Sequence, residues 1–264
     1  MPTVHRIHIV GSARSGTTLA LEAVYNAFEI DRYVPEERPV LSTFGTRGAP
    51  DEVLLSKSPQ DHAVAARLIE REPDLYWICL IRDPRDVIVS RHRRAPDRYY
   101  TTLSRWKRAW NNARKLQNHP RFVILRYETL VRDPAAAERM LLERIPFLRS
   151  KKPLAEAMSG AKPSEQSLVA MHGLRPIDDA SIGRWREHKP RVAGQIRHHG
   201  PITDELIELG YEPDDTWLAE LEGVEPDLEY SVLEEFPSLR RRLGIRYRGF
   251  RRWMRYFRRR RRTG

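Results

Sequence analysis

The chain reads GSARSGTTL at residues 11–19, directly after the apolar run Val4–Val10 and directly before a helical pattern. Two glycines five residues apart, between a strand and a helix, outline a phosphate-binding loop. Backbone N–H groups in such a loop converge on an anion, and the dipole of the following helix favours negative charge there. The nucleoside-triphosphate form of the loop, G-x-x-x-x-G-K-[ST], has lysine after its second glycine. Here that place is taken by Thr17, so the loop alone leaves a different phosphate ligand and a merely tight turn both open.

The first 146 residues alternate short apolar runs with helical patterns, the signature of a parallel sheet covered by helices. Strands are expected at 4–10, 53–56, 75–81 and 121–127. Leu19, Ala20, Ala23, Val24, Ala27 and Phe28 recur at helical spacing after the loop. Ser58-Pro59, Asp83-Pro84 and Asp133-Pro134 each set a capping side chain before a proline at the first helical position. Asp61 and Asp86 then read as the acids of capping boxes. Residues 97–118 are a further helix, and 147–180 reads as loop with short helices. The fold class is α/β: a three-layer, P-loop-type fold with a central parallel sheet flanked by helices, plus a C-terminal basic amphipathic helix.

Charge divides the chain. Of its net +11, residues 204–235 contribute 13 acids without a Lys or Arg, and residues 240–262 contribute 13 arginines without an acid. Residues 1–203 are left with 34 basic against 23 acidic side chains, a balance that suits an anionic ligand or an acidic acceptor. We therefore expect a single α/β domain over 1–203, an acidic segment over 204–237 and an Arg-rich amphipathic tail over 238–264. No run approaches a membrane span. The sole cysteine, Cys79, sits inside LYWICLI as a buried, inert thiol, and with no internal disulfide a cytoplasmic compartment is expected.

A second anion site is written in LYWICLIRDPRDVIVSRHRR. Arg82 closes a strand, Ser90 falls about two turns into the predicted helix, and Arg94 lies four residues further on the same face. An arginine and a hydroxyl converging in this way suit a phosphate. Asp83 could be a metal-binding acid at a strand end, but Pro84 after it favours an N-cap. No histidine stands at metal-ligand spacing, and no metal is expected.

With these residues in place, the sequence resembles the sulfotransferases that use 3′-phosphoadenosine 5′-phosphosulfate, in the Arg-Ser-Gly-Thr-Thr form of their carbohydrate and tyrosylprotein branch. GSARSGTTL is similar to their loop for the 5′-phosphosulfate, and RDPRDVIVS to their 3′-phosphate site. RYETLVRDP resembles the segment whose tyrosine, here Tyr127, lies by the adenine. SIGRW, Ser181–Trp185, resembles the element that folds over the donor. The four occur in the family's order over residues 7–188.

What the resemblance implies is specific. Arg14, Ser15, Gly16, Thr17 and Thr18 would hold the phosphosulfate, with Arg82, Ser90 and Arg94 on the 3′-phosphate. Tyr127, Arg184 and Trp185 would enclose the nucleoside. Lys57 matches the lysine of a Lys-x-Pro element that approaches the bridging oxygen of the leaving group, where a fixed cation lowers the barrier. Arg14 would assist there. The general base is Glu37 or Glu36, with His62 as a third candidate. The implied co-substrate is 3′-phosphoadenosine 5′-phosphosulfate, and the implied acceptor a hydroxyl-bearing glycan or glycolipid.

Two other function classes stay open. One is a kinase using ATP and magnesium, opposed by the missing lysine. The other is a protein that works mainly through its tail: Leu239, Leu243, Tyr247, Phe250, Met254 and Phe257 step by four or three residues among arginines. That pattern suits peripheral membrane association through 239–262, at the inner face of a membrane, or docking on the domain or on a partner. No base-reading motif accompanies the charge, so nucleic acid is not expected.

Overall fold

A computed structural model describes residues 4–45, 48–92, 95–171, 173–174, 176–233 and 239–263. Five parallel strands form the central sheet: β1 (Val4–Gly11), β2 (Arg32–Glu37), β3 (Glu52–Lys57), β4 (Leu75–Ile81) and, after a small hairpin, β7 (Phe122–Arg126). Their order is β2-β3-β1-β4-β7. Register sets Ile9 beside both Lys57 and Ile78, and Cys79 beside Ile124.

Side chains alternate across the sheet as strand geometry requires. Trp77, Cys79 and Ile81 face a core that includes Trp106, Trp185 and Trp217. Ile78 and Leu80 face the opposite core with Leu21, Val24, Phe28 and Leu141. Burial on both faces explains why these strands read as nearly continuous apolar runs. Burial also pushes the Cys79 thiol up to about 12, as expected of an inert core cysteine.

Helices α1 (Thr17–Ala27), α2 (His62–Leu68), α3 (Pro84–Ile88), α4 (Leu103–Arg114), α5 (Tyr127–Arg132) and α6 (Pro134–Arg144) connect and cover the sheet. Further along come α7 (Glu165–Met171), α8 (Lys189–His199), α9 (Thr203–Glu208) and α10 (Leu239–Thr263). The chain leaves β1 toward one edge of the sheet and β4 toward the other. The crevice between their C-terminal ends is thus the topological switch point, where ligands of open α/β sheets bind.

Several expectations need correction. The segment RYVPEE, not among the expected strands, forms the edge strand β2. Proline is tolerated there because an edge strand has one side free of partners. Helix α3 ends at Ile88, and the chain turns into a hairpin of β5 (Arg91–His92) and β6 (Ala95–Tyr99). Ser90 is therefore not on a helix, and Arg94 lies outside the described residues.

Asp83 and Asp133 cap as expected, accepting from the N–H groups of Arg85 and Ala136. Ser58 makes no such bond. The two presumed capping-box acids reach across the fold instead. Asp61 accepts from the Val40 N–H at 2.6 Å, and Asp86 from the N–H groups of Gly183 and Trp185 at 2.8 and 3.0 Å.

The acidic segment packs against the body through its described part. Leu206 and Trp217 are buried, and Glu208, Glu212 and Glu220 pair with Arg114, Arg85 and Arg186. Its far end runs alongside the hairpin, with the N–H groups of Val232 and Leu233 donating to the carbonyls of Tyr99 and Tyr100. Residues 1–233 consequently balance at 34 basic and 34 acidic side chains, so the basic excess read over 1–203 is offset within the fold. Among the described residues, no helix is long and apolar enough to cross a membrane.

Candidate active site

A cleft of about 670 Å³ opens over the C-terminal ends of β1, β3 and β4, within the size range of small-molecule sites. Its floor is the glycine-framed loop. At Gly11, a Cβ would stand 2.4 Å from the Leu80 carbonyl oxygen, so only glycine lets the loop cross the neighbouring strand. Gly16 has φ +94°, and a Cβ there would lie 2.5 Å from the Tyr127 ring. No side chain caps the first turn of α1, which leaves its amides facing the loop. Arg14 also takes a left-handed backbone, at φ 73°, which turns its side chain into the cleft.

One end of the cleft gathers Thr18, Lys57 and Glu37. Lys57 Nζ donates to Thr18 Oγ1 at 2.9 Å and stands 3.6 Å from Glu37 Oε1. Strand pairing makes this meeting unavoidable, because Glu37 on β2 is in register with Lys57 on β3. Burial pulls the Lys57 pKa below the ordinary lysine value, and Glu37 partly opposes that shift.

The other end gathers Arg82, Tyr127 and Ser181. The Arg82 guanidinium lies 4.5 Å from the centre of the Tyr127 ring and donates to the Ser181 carbonyl. Tyr127 and Ser181 share a hydrogen bond between their hydroxyls at 2.7 Å. Arg82 Nε is buried without a hydrogen-bond partner, an orphaned cationic donor at the cleft wall. Between the two ends, Arg14 Nε donates to Ser90 Oγ at 2.9 Å. Burial lowers the Arg14 pKa, with repulsion from Arg82 adding to it.

Not every expected residue lines the cleft. Ser15 is turned inward, its hydroxyl donating to the Ser12 carbonyl. Trp185 is buried between Arg85, whose guanidinium lies 4.4 Å from its ring, and Trp217; it braces the SIGRW turn from below. Arg184 is exposed at the rim. Glu36 lies outside the cleft on the exposed edge of β2. His62 is buried at the start of α2, accepts from Asn112, and has its pKa pushed down to about 4 by burial and Arg108. The Asp83 carboxylate is held by Arg85 at 2.7 Å.

Sequence reasoning missed three parts of the wall. Helix α7 covers the loop, its Ala170 carbonyl 3.5 Å from Arg14 Nη1. Tyr100 and His92 contribute from the hairpin, and Val232 and Leu233 from the far end of the acidic segment. The last pair had a signal in SVL, an apolar step within an otherwise acidic stretch.

The sulfotransferase family model matches residues 22–146. Among solved structures, mouse sulfotransferase SULT7A1 complexed with PAP superposes with a TM-score of 0.50 at 13% identity, over 83% of this chain and 89% of that one. The sulfotransferase domain of the olefin synthase from Synechococcus PCC 7002 gives 0.48 at 18% identity, over 70% and 88%. No curated protein sequence matches.

Proposed function

We propose, for a chain whose residues 22–146 carry the sulfotransferase pattern, that it transfers a sulfuryl group from 3′-phosphoadenosine 5′-phosphosulfate to a hydroxyl or amine. The observation that carries this reading is the pairing of two cationic grips, Lys57 with Thr18 and Arg82 with Tyr127, at opposite ends of one cleft. A ligand with an anionic group at each end, one of them beside an aromatic base, fits this arrangement. The mouse protein named above is complexed with PAP, the bisphosphate such a donor leaves behind.

The donor supplies the sulfuryl group, and this chain's residues position and stabilise. Arg14 and the amides at the start of α1 bind the phosphosulfate end. Arg82 and Ser90 take the 3′-phosphate, and Tyr127 lies against the base. Lys57 stabilises the charge left on the bridging oxygen as its bond to sulfur breaks. Glu37 takes the proton of the acceptor as the new bond to sulfur forms. Glu36 and His62 are disfavoured for that role, the first by lying outside the cleft and the second by burial.

Beyond the residues given to the donor, the cleft lining mixes Glu37, Gln60 and His92 with Met158, Met171, Val232 and Leu233. An alcohol carried on an apolar body, as in a glycolipid, suits that wall better than a wholly polar glycan. The kinase alternative is opposed by Thr17 at the lysine position and by an Asp83 carboxylate committed to Arg85. Thermal shift tests the reading: adenosine 3′,5′-bisphosphate should stabilise the chain without metal, and ATP with magnesium should not do better. The reverse order would overturn it. Incubation with radiolabelled donor and a panel of glycan, lipid and phenolic acceptors then identifies the acceptor.

A further inference from the structure

Helix α10 is divided between a docked face and an exposed one. Tyr256 is buried, donates to Glu72 and packs edge-on against Phe44 at 5.3 Å. Arg260 also donates to the Glu72 carboxylate, at 3.0 Å, and Arg259 reaches the Ser42 carbonyl. Trp253, Tyr256 and Arg260 occupy one face at helical spacing. Leu243, Tyr247, Phe250, Met254 and Phe257 form a second face, turned by about 100°, one residue's rotation, from the first. That second face is exposed: Leu243 is 57%, Tyr247 61% and Phe250 61% accessible.

Charge singles out the same helix. Residues 1–233 are balanced at 34 basic and 34 acidic side chains, so the net +11 of the chain resides beyond Leu233. Arg248, Arg251, Arg252, Arg255 and Arg258 are exposed around the apolar stripe. No acid lies between Leu239 and Thr263. A second copy pairing through this face would set like charges against each other with nothing to offset them. A nucleic acid would satisfy the arginines but leave the aliphatic and aromatic stripe in water. An anionic lipid surface satisfies both, the arginines at the headgroups and the stripe at the acyl boundary.

We infer that the exposed face of α10 is a binding surface for anionic membranes, and that the Glu72 clamp fixes the angle at which the body sits on them. Leu239 follows Leu233 by six residues, at most about 20 Å of extended chain, and Leu233 lines the cleft. The first residue of the helix thus lies within about 20 Å of the cleft wall. This inference stands apart from the sulfuryl-transfer reading.

The test is co-flotation of the full chain with phosphatidylcholine vesicles, with and without phosphatidylserine. The chain should float with the phosphatidylserine vesicles and not with phosphatidylcholine alone. Leu243→Ser with Phe250→Ser should weaken binding at least about tenfold. Arg251→Gln, Arg252→Gln and Arg255→Gln together should weaken it about a hundredfold, near fivefold per arginine. Both variants should keep the melting temperature and the bisphosphate response of the parent chain. Absence of binding by the parent, or equal binding by parent and both variants, would overturn the inference. So would a dimer, seen by sedimentation, that Phe250→Ser dissociates.

Discussion

Arg14 Nε and Ser90 Oγ are joined at 2.9 Å across 76 residues of chain, which ties the loop after β1 to the segment after α3. Both lie at the switch point of the sheet, and Arg82 stands close enough to depress the Arg14 pKa. Two cations held close in a partly buried cleft repel each other, and the Asp86 carboxylate, 3.9 Å from Arg82 Nη2, offsets part of that repulsion. On the sulfuryl-transfer reading, the phosphates of the donor would relieve what remains.

Arg82→Ala should weaken binding of adenosine 3′,5′-bisphosphate by about 1.5–3 kcal/mol, or roughly 10- to 150-fold. Titration calorimetry with the 5′-monophosphate should detect no comparable loss. An equal loss for both ligands would mean that Arg82 does not hold the 3′-phosphate.

Lys57→Ala should lower kcat by about 10²- to 10³-fold, the cost of removing one donor from a developing oxyanion, while bisphosphate affinity changes little. Burial lowers the Lys57 pKa. The side chain therefore loses its charge at a lower pH than an exposed lysine, and kcat should fall as pH rises through that point. Lys57→Arg keeps its charge at all working pH values, so in a pH–rate profile that variant should lack the alkaline fall.

His62 makes the fold acid-sensitive. Its pKa is pushed down to about 4 in the folded chain, against about 6.5 when unfolded. Between these values the unfolded state binds the extra proton, so stability is full above pH ~6.5 and is lost as pH falls toward ~4. The loss should approach about 3 kcal/mol and be absent in His62→Gln. Urea denaturation at neutral pH and near the lower limit measures it; equal losses in both chains would remove His62 as the cause.

Gly16→Ala should cost both stability and ligand binding. The new methyl would meet the Tyr127 ring, and the left-handed backbone there disfavours any Cβ. Gly16→Ala with Tyr127→Leu should recover only part of the stability, because the backbone strain persists. Full recovery in a thermal melt would show that the ring contact alone mattered.

The sheet is legible in the sequence where its strands are buried on both faces. The 75–81 strand reads at its observed limits, since LYWICLI has no competing pattern. Strand β2 is not legible, because an edge strand with one exposed side need not be apolar. Ser90 reads as helical because VIVS continues an apolar pattern, whereas α3 ends at Ile88 and the chain then turns into the hairpin. Lys57, Glu37 and Thr18 can each be picked out as residues. Their meeting cannot, since it depends on β2 pairing with β3. The reach of Asp61 and Asp86 is hidden for a similar reason: a local cap and a distant loop ask for the same carboxylate.

The return of Val232 and Leu233 to the hairpin has a consequence for biosynthesis. The loop around Arg14 leaves the ribosome long before the wall that faces it. A nascent chain, or one clipped by a protease ahead of Ser231, would hold the early half of the cleft without its closure. The two backbone bonds that hold Val232 and Leu233 to the hairpin can form only once this late stretch of polypeptide is present.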